Sequence, residues 1–334
     1  MKKNGGNAGL ELVCPAGTPA ALRAAVSAGA DAVYCGYRDA TNARNFPGLN
    51  FSRAEMEESI AYAHARQAKV FVAINTFPSP GAERIWHEAI DDSARFGADA
   101  LILADLGLLE YSSKRHPATR RHLSVQAAAA NADAIGFYTR HFGIRRVVLP
   151  RVLTIQDICG INGEISCETE AFVFGGLCVM AEGRCSLSSY VTGKSPNLNG
   201  VCSPASHVKY RNHGDVLESL LGDFVIHRVG AKDPAPYPTV CKGCFSAGDF
   251  NGHVFEDPQS LDASILIPQL AQAGVTAIKV EGRQRSKAYV ASVVRALRRC
   301  IDNHIAGLPT ENPRLYRLSE GQATTEGAYQ KAWR

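Results

Sequence analysis

The chain has 334 residues, 46% hydrophobic and 20% charged. This excludes a disordered or fibrous chain, and the length suits either one (β/α)8 barrel or two smaller domains. Lys plus Arg exceed Asp plus Glu by only 36 − 32 = 4, too small an excess for a chain whose main task is neutralising phosphates, so no nucleic-acid partner is expected. No apolar run reaches the roughly 18 residues of a membrane span. The start, Met1 to Gly6, has two lysines with no apolar segment behind them, so a soluble, cytoplasmic protein is expected.

In chain order, eight short strands are predicted near 10–14, 31–36, 69–75, 100–104, 121–126, 145–150, 170–175 and 276–281. A repeated device separates them: a helical stretch ends in Gly, and an apolar strand begins a few residues later. It occurs at Gly29, Gly97, Gly143 and Gly274. Gly in the left-handed conformation is the usual stop signal of a helix. Helices are predicted over 52–67, where Ser52 and Glu55 form a capping box, over 262–273, opening with Asp262, and over 286–306 after Ser286. The last carries an apolar stripe of Val290, Val293, Leu297 and Ile301, with Lys287, Arg295, Arg298 and Arg299 largely opposite as a solvated face.

Nearly all-apolar strands alternating with helices imply a parallel sheet covered on both faces. Eight units, with no G-x-G-x-x-G after the first strand, predict an α/β fold: a (β/α)8 TIM-like barrel. The barrel is assigned to 10–307 and a short polar C-terminal extension to 308–334. Between about 177 and 261 the alternation stops, so an insertion is expected after strand seven, at the C-terminal mouth where barrel active sites lie.

That insertion holds five of the ten cysteines. Cys178, Cys185, Cys202 and Cys241 follow the spacing C-x6-C-x16-C-x38-C, and Cys244 forms C-x2-C with Cys241. Thiols converging from loops can hold an iron–sulfur cluster or a structural zinc, or stay unligated. The long, irregular spacing favours a cluster, since the second short pair of a zinc site is missing. Spacing alone does not say which four of the five bind. Cys14, Cys35, Cys159, Cys167 and Cys300 read as small packing residues.

Polar residues at strand ends face the mouth: Asn75, Gln126, Arg151, Glu281 and Arg283. The long loop 38–51, with Asn42 and Arg44, mixes amides, arginines and aromatics and suits a planar anionic ligand. From these, Asn42, Arg44, Asn75, Gln126, Glu281 and Arg283 are the expected substrate-binding residues. No Ser/His/Asp order, G-x-S-x-G or H-E-x-x-H is present, and no flavin or NAD motif, so no catalytic residue is assigned.

Several segments resemble peptidase family U32, the collagenase-like peptidases. They are Leu12 to Gly17, Ala30 to Tyr34, Asn42 to Phe46, Val148 to Arg151, Phe174 to Tyr190, Lys279 to Ser286 and Gly321 to Tyr329. The similarity is to the branch that serves ubiquinone biosynthesis. It implies a 4Fe–4S cluster on Cys178, Cys185, Cys202 and Cys241, leaving Cys244 outside the set. It further implies a heterodimer with a paralogous UbiV-like subunit and O2-independent hydroxylation of the ring of a ubiquinone precursor. Related members hydroxylate RNA bases and depend on prephenate, which makes prephenate the oxygen donor to consider here. RNA-base hydroxylation and a zinc-stabilised, partner-binding scaffold are the alternatives. Peptidase activity is not expected.

Overall fold

The computed structural model describes residues 9–199, 201–230, 232–233, 235–309, 313–319 and 323–330. The lysine-bearing start, Pro234, Gly321 and Gln322 lie outside the described residues.

Seven parallel strands form in chain order: β1 (Glu11–Pro15), β2 (Ala32–Cys35), β3 (Lys69–Ile74), β4 (Ala100–Leu103), β5 (Arg121–Leu123), β6 (Arg146–Val148) and β7 (Glu168–Gly176). The insertion follows. It carries an antiparallel sheet of β8 (Val208–His213), β9 (Val216–Leu221) and β10 (Phe224–Gly230), then a hairpin of β11 (Cys244–Ala247) and β12 (Phe250–His253). After β13 (Ser260–Asp262), β14 (Ala277–Val280) supplies the eighth barrel strand. It pairs in parallel with β1 on one side and with β7 on the other, closing the barrel. All eight predicted strands are therefore present, and the insertion leaves after the seventh.

The local signals explain the regularity. Gly29, Gly97, Gly143 and Gly274 sit at φ of 103°, 83°, 64° and 89°, the region only glycine enters without strain. The helix Arg53–His64 has the full Ser52/Glu55 capping box, worth about 1 kcal/mol. The helix Lys287–Ile305 is capped by Ser286 and buries Val290, Val293, Leu297, Cys300 and Ile301, as its stripe requires.

Three expectations change. Asp262 does not open a helix: Ser260–Asp262 pairs antiparallel with the end of β7, and the helix starts at Ile267, where Pro268 fits the first turn. The C-terminal extension is not merely polar. Its strand β15 (Thr324–Thr325) pairs with β13, and the buried Tyr329 hydroxyl donates to the Phe172 carbonyl at 2.6 Å. Cys159 is exposed rather than packed, on an outer face of the helix Ile155–Glu164.

Strand alternation divides the core. Leu12, Cys14, Val33, Cys35, Val70, Val72, Leu101 and Leu103 pack toward the helices. Val13, Ala32, Tyr34, Phe71, Ala73, Ala100, Ile102 and Ala277 fill the barrel interior. The lower interior is ionic. Arg146 reaches Glu11, Glu168 and Glu170, and Glu170 also pairs with Lys279 at 2.6 Å. Pairing of this kind offsets the cost of taking these charges out of water. Small inward residues such as Ala32, Ala73 and Ala277 leave the room for these long side chains.

Candidate functional site

A cavity of about 150 Å³ opens at the C-terminal ends of the barrel strands, roofed by the insertion. Its floor is apolar and aromatic, with Tyr34, Ala73, Ile102, Val148 and Phe172. Its rim carries Arg44, Asn75, Gln126, Arg151, Glu281 and Arg283, and its roof brings in Cys178, Cys185, Cys202 and Cys241. Five of the six expected substrate-binding residues therefore line one space. Asn42 does not line it.

Asn42 stands behind the wall. Its Oδ1 accepts from Arg283 Nη1 at 2.5 Å and from the Arg44 backbone N–H at 3.1 Å, while its Nδ2 donates to the Tyr37 carbonyl. It thus holds both arginines rather than facing a ligand. Asn75 is likewise engaged, accepting from the Ala43 N–H and donating toward Ser124. Gln126 is different: its Oε1 is buried with no hydrogen-bond partner among the described residues. A buried acceptor without a donor is costly, and this one lies on the cavity wall.

Charges at the rim are positioned by chain geometry. Gly175 sits at φ 121°, and a Cβ there would come within 2.5 Å of the Glu281 carbonyl oxygen. Glycine therefore lets the end of β7 press against the segment after β14. The Glu281 carboxylate accepts from the Gly176 N–H at 3.2 Å and lies 3.6 Å from Arg44. Burial pushes its pKa up, but Arg44 and Arg151 outweigh this and hold it below the usual range. Arg283 is buried, and loss of water brings its pKa down to about 10. It has no carboxylate within salt-bridge distance among the described residues, and its guanidinium lies 5.6 Å from the Tyr34 ring centre. Lys279, paired with Glu170, lies 3.7 Å from the same ring centre. Sequence reasoning missed Lys279, Tyr34 and Phe172. The inward register shared by Ala32 and Tyr34, and by Ala277 and Lys279, was the available signal.

The thiols come from four separate segments. Cys178 follows β7 by two residues, Cys185 precedes the short helix Leu187–Thr192, Cys202 lies in the following coil, and Cys241 is in the turn Val240–Lys242. Between the first two, Gly183 at φ 81° crosses close over Gln126: a Cβ would stand 2.2 Å from the Gln126 carbonyl oxygen. Burial pushes the Cys178 thiol up to about 11 and the Cys241 thiol up to about 12, and it raises Cys185 also. Cys202, Cys178 and Cys185 push the Cys241 thiol further up. Cys202 is exposed and the other three are partly buried; such a donor set becomes thiolate when a metal supplies the positive charge. Among the described residues, no three His, Cys, Asp or Glu side chains are gathered tightly on a single ion position. The four thiols lie on the cavity wall. Cys244 is outside this wall, on β11, where its sulfur lies 3.9 Å from Asn251 Oδ1. No histidine lines the cavity among the described residues.

Fold and site together define a (β/α)8-barrel protein with a thiol-roofed cavity at its C-terminal mouth. The model of peptidase family U32 matches residues 17–331, and the chain belongs to that family. Similar curated proteins include tRNA hydroxylation protein P of Escherichia coli (strain K12), 32% identical, with 94% of this chain aligned to 72% of that one. Another is the 23S rRNA 5-hydroxycytidine C2501 synthase of the same organism, 29% identical over 94% of this chain and 42% of that protein. A solved structure, "The Structure of the U32 Peptidase Mk0906", aligns with 52% of this chain and 72% of its own at 14% identity and a TM-score of 0.43. No helix among the described residues is long and apolar enough to cross a membrane.

Proposed function

We propose that this protein is the iron–sulfur subunit of an O2-independent hydroxylase, acting on the ring of a ubiquinone precursor together with a paralogous UbiV-like subunit as a heterodimer. The observation that carries this is the joining of four thiols and an apolar, ring-sized cavity in one site. An apolar cavity of about 150 Å³ accommodates a benzene ring. Here the floor of Tyr34, Ile102, Val148 and Phe172 offers aromatic and aliphatic contact, and Gln126 Oε1 is available to a hydroxyl on the ring. The names of the relatives, which concern hydroxylation, support the reaction class.

Cys178, Cys185, Cys202 and Cys241 would hold a 4Fe–4S cluster. The long, irregular spacing of these four thiols, with no second short pair, favours a multi-iron group over one zinc ion. When bound, the cluster supplies one-electron chemistry or a ligand site beside the ring. Arg44 and Arg283 would hold the anionic groups of an oxygen donor such as prephenate, and the insertion would keep water from the ring.

The test is a quinone profile from cells grown without O2. Cells lacking this gene are expected to accumulate an unhydroxylated precursor, restored by the wild-type gene and not by Cys178→Ala. A second reading, hydroxylation of an RNA base, is favoured by the RNA substrates in the relatives' names. Mass spectrometry of hydroxylated nucleosides from the same cells separates the two. Loss of a modified nucleoside with a normal quinone profile would replace the first reading by the second.

A further inference from the structure

A buried cation, Arg151, stands beside the thiols. Arg151 follows β6, and four contacts fix its side chain and backbone. Its guanidinium lies 3.9 Å from the ring centre of Phe172 on β7. Its Nε stands 3.3 Å from Glu182 Oε1, and its backbone N–H points to Glu182 Oε2 at 3.4 Å. Its Nη1 donates to Cys178 Sγ at 3.1 Å.

The pairing with Glu182 is not the usual planar fork between guanidinium and carboxylate. Arg151 Nε and Glu182 Oε1 are both buried without a hydrogen-bond partner among the described residues, so their proximity is coulombic only. The hydrogen bond recorded for this guanidinium among those residues is the one to sulfur. An arginine stacked and buried has little freedom to swing elsewhere, so the donor is aimed before any group is bound. Hydrogen bonds to ligand sulfurs, together with burial, are among the protein's means of setting a cluster's potential. A cationic donor stabilises the reduced form more, because reduction adds negative charge to the core and its thiolates.

Resting on the cluster assignment, we propose that Arg151 is a positioning residue of this site: it donates a charge-assisted N–H···S hydrogen bond to Cys178 and raises the reduction potential of the group held there. Phe172 and Glu182 hold the guanidinium in place from β7 and from the thiol loop.

The experiment uses full-length protein prepared without O2, as wild type, Arg151→Lys and Arg151→Gln. Iron and acid-labile sulfide are counted first, and the midpoint potential is then read by EPR-monitored titration. The expected result is a retained cluster with a potential shifted downward in Arg151→Gln. A cluster retained at unchanged potential in both variants overturns the inference and leaves the cluster assignment intact. Absence of iron and sulfide from the wild type removes both. Where Arg151→Gln fails to fold or to hold iron, the wild type alone decides: protein grown with 15N-guanidino arginine is expected to show a 15N coupling in the reduced-cluster ENDOR spectrum. No such coupling overturns the proposal.

Discussion

Arg283 and Asn42 are 241 residues apart in sequence, yet the Arg283 guanidinium donates to Asn42 Oδ1 at 2.5 Å inside the barrel mouth. The bond joins the loop after β2 to the segment after β14 and gives a buried cation its acceptor. Asn42→Ala removes it, together with the acceptor of the Arg44 N–H. A hydrogen bond to a charged group is worth about 1.5–3 kcal/mol, so a loss of stability of that order is expected in urea denaturation. Weaker binding at the cavity should accompany it, since Arg283 lines the wall. Unchanged stability would mean that Asn42 does not hold Arg283 in solution.

Gly183 offers a test of the thiol loop separate from the barrel. Its positive φ and its approach to the Gln126 carbonyl leave no room for a methyl group. Backbone strain of this kind costs about 1–3 kcal/mol, and a clash with backbone is relieved only by moving the loop. Gly183→Ala should therefore lose most of its iron when purified without O2, while its far-UV circular dichroism stays that of the wild type. Full iron content in the variant would show that the loop position does not govern ligation.

The ionic lower interior predicts acid sensitivity. Burial alone pushes Glu11 and Glu168 upward, but Arg146, with Lys69 and Arg120, outweighs it and holds both below their ordinary values. A carboxylate with a depressed folded pKa stabilises the fold above its unfolded value, about 4.3, and that contribution is lost as pH falls through the folded pKa. His122 is buried, accepts from Arg120 Nε at 2.9 Å, and burial holds its pKa well below the ordinary value. The unfolded chain takes up that proton near pH 6.5 and the folded chain does not, so stability falls as pH drops below about 6.5. Both slopes have the same sign. The urea midpoint should fall from pH 7 to pH 5, and His122→Gln should flatten that part of the curve. An unchanged slope in the variant would assign it to other groups.

The barrel was legible because its strands are short apolar runs that follow glycine helix stops, and the closing strand was legible at Ala277–Val280 for the same reason. The insertion was not. Strand β8 is exposed along most of its length, so Val208 to His213 carry no alternation to read, and the sheet rests on pairing with β9. Glu170 and Lys279 passed as members of apolar strands because their charges cancel inside the barrel. At the mouth, chain position picked out Asn75, Gln126, Glu281 and Arg283, and the composition of the loop 38–51 picked out Arg44 and Asn42. It could not tell that Asn42 faces Arg283 rather than a ligand, which depends on how a long loop folds back. Nor could the spacing separate Cys241 from Cys244. They are three residues apart, and only the turn Val240–Lys242 followed by β11 sends one sulfur to the cavity and the other toward Asn251.

That separation makes the five cysteines the most direct test of cluster binding. Wild type and the five single Cys→Ala variants at 178, 185, 202, 241 and 244 are purified without O2, and iron, acid-labile sulfide and visible absorption are measured for each. The wild type should be brown, with about four irons and four sulfides per chain. Cys178→Ala, Cys185→Ala, Cys202→Ala and Cys241→Ala should lose most of them, and Cys244→Ala should keep them. A colourless wild type containing zinc, or a cluster that survives Cys241→Ala and is lost in Cys244→Ala, would contradict this assignment.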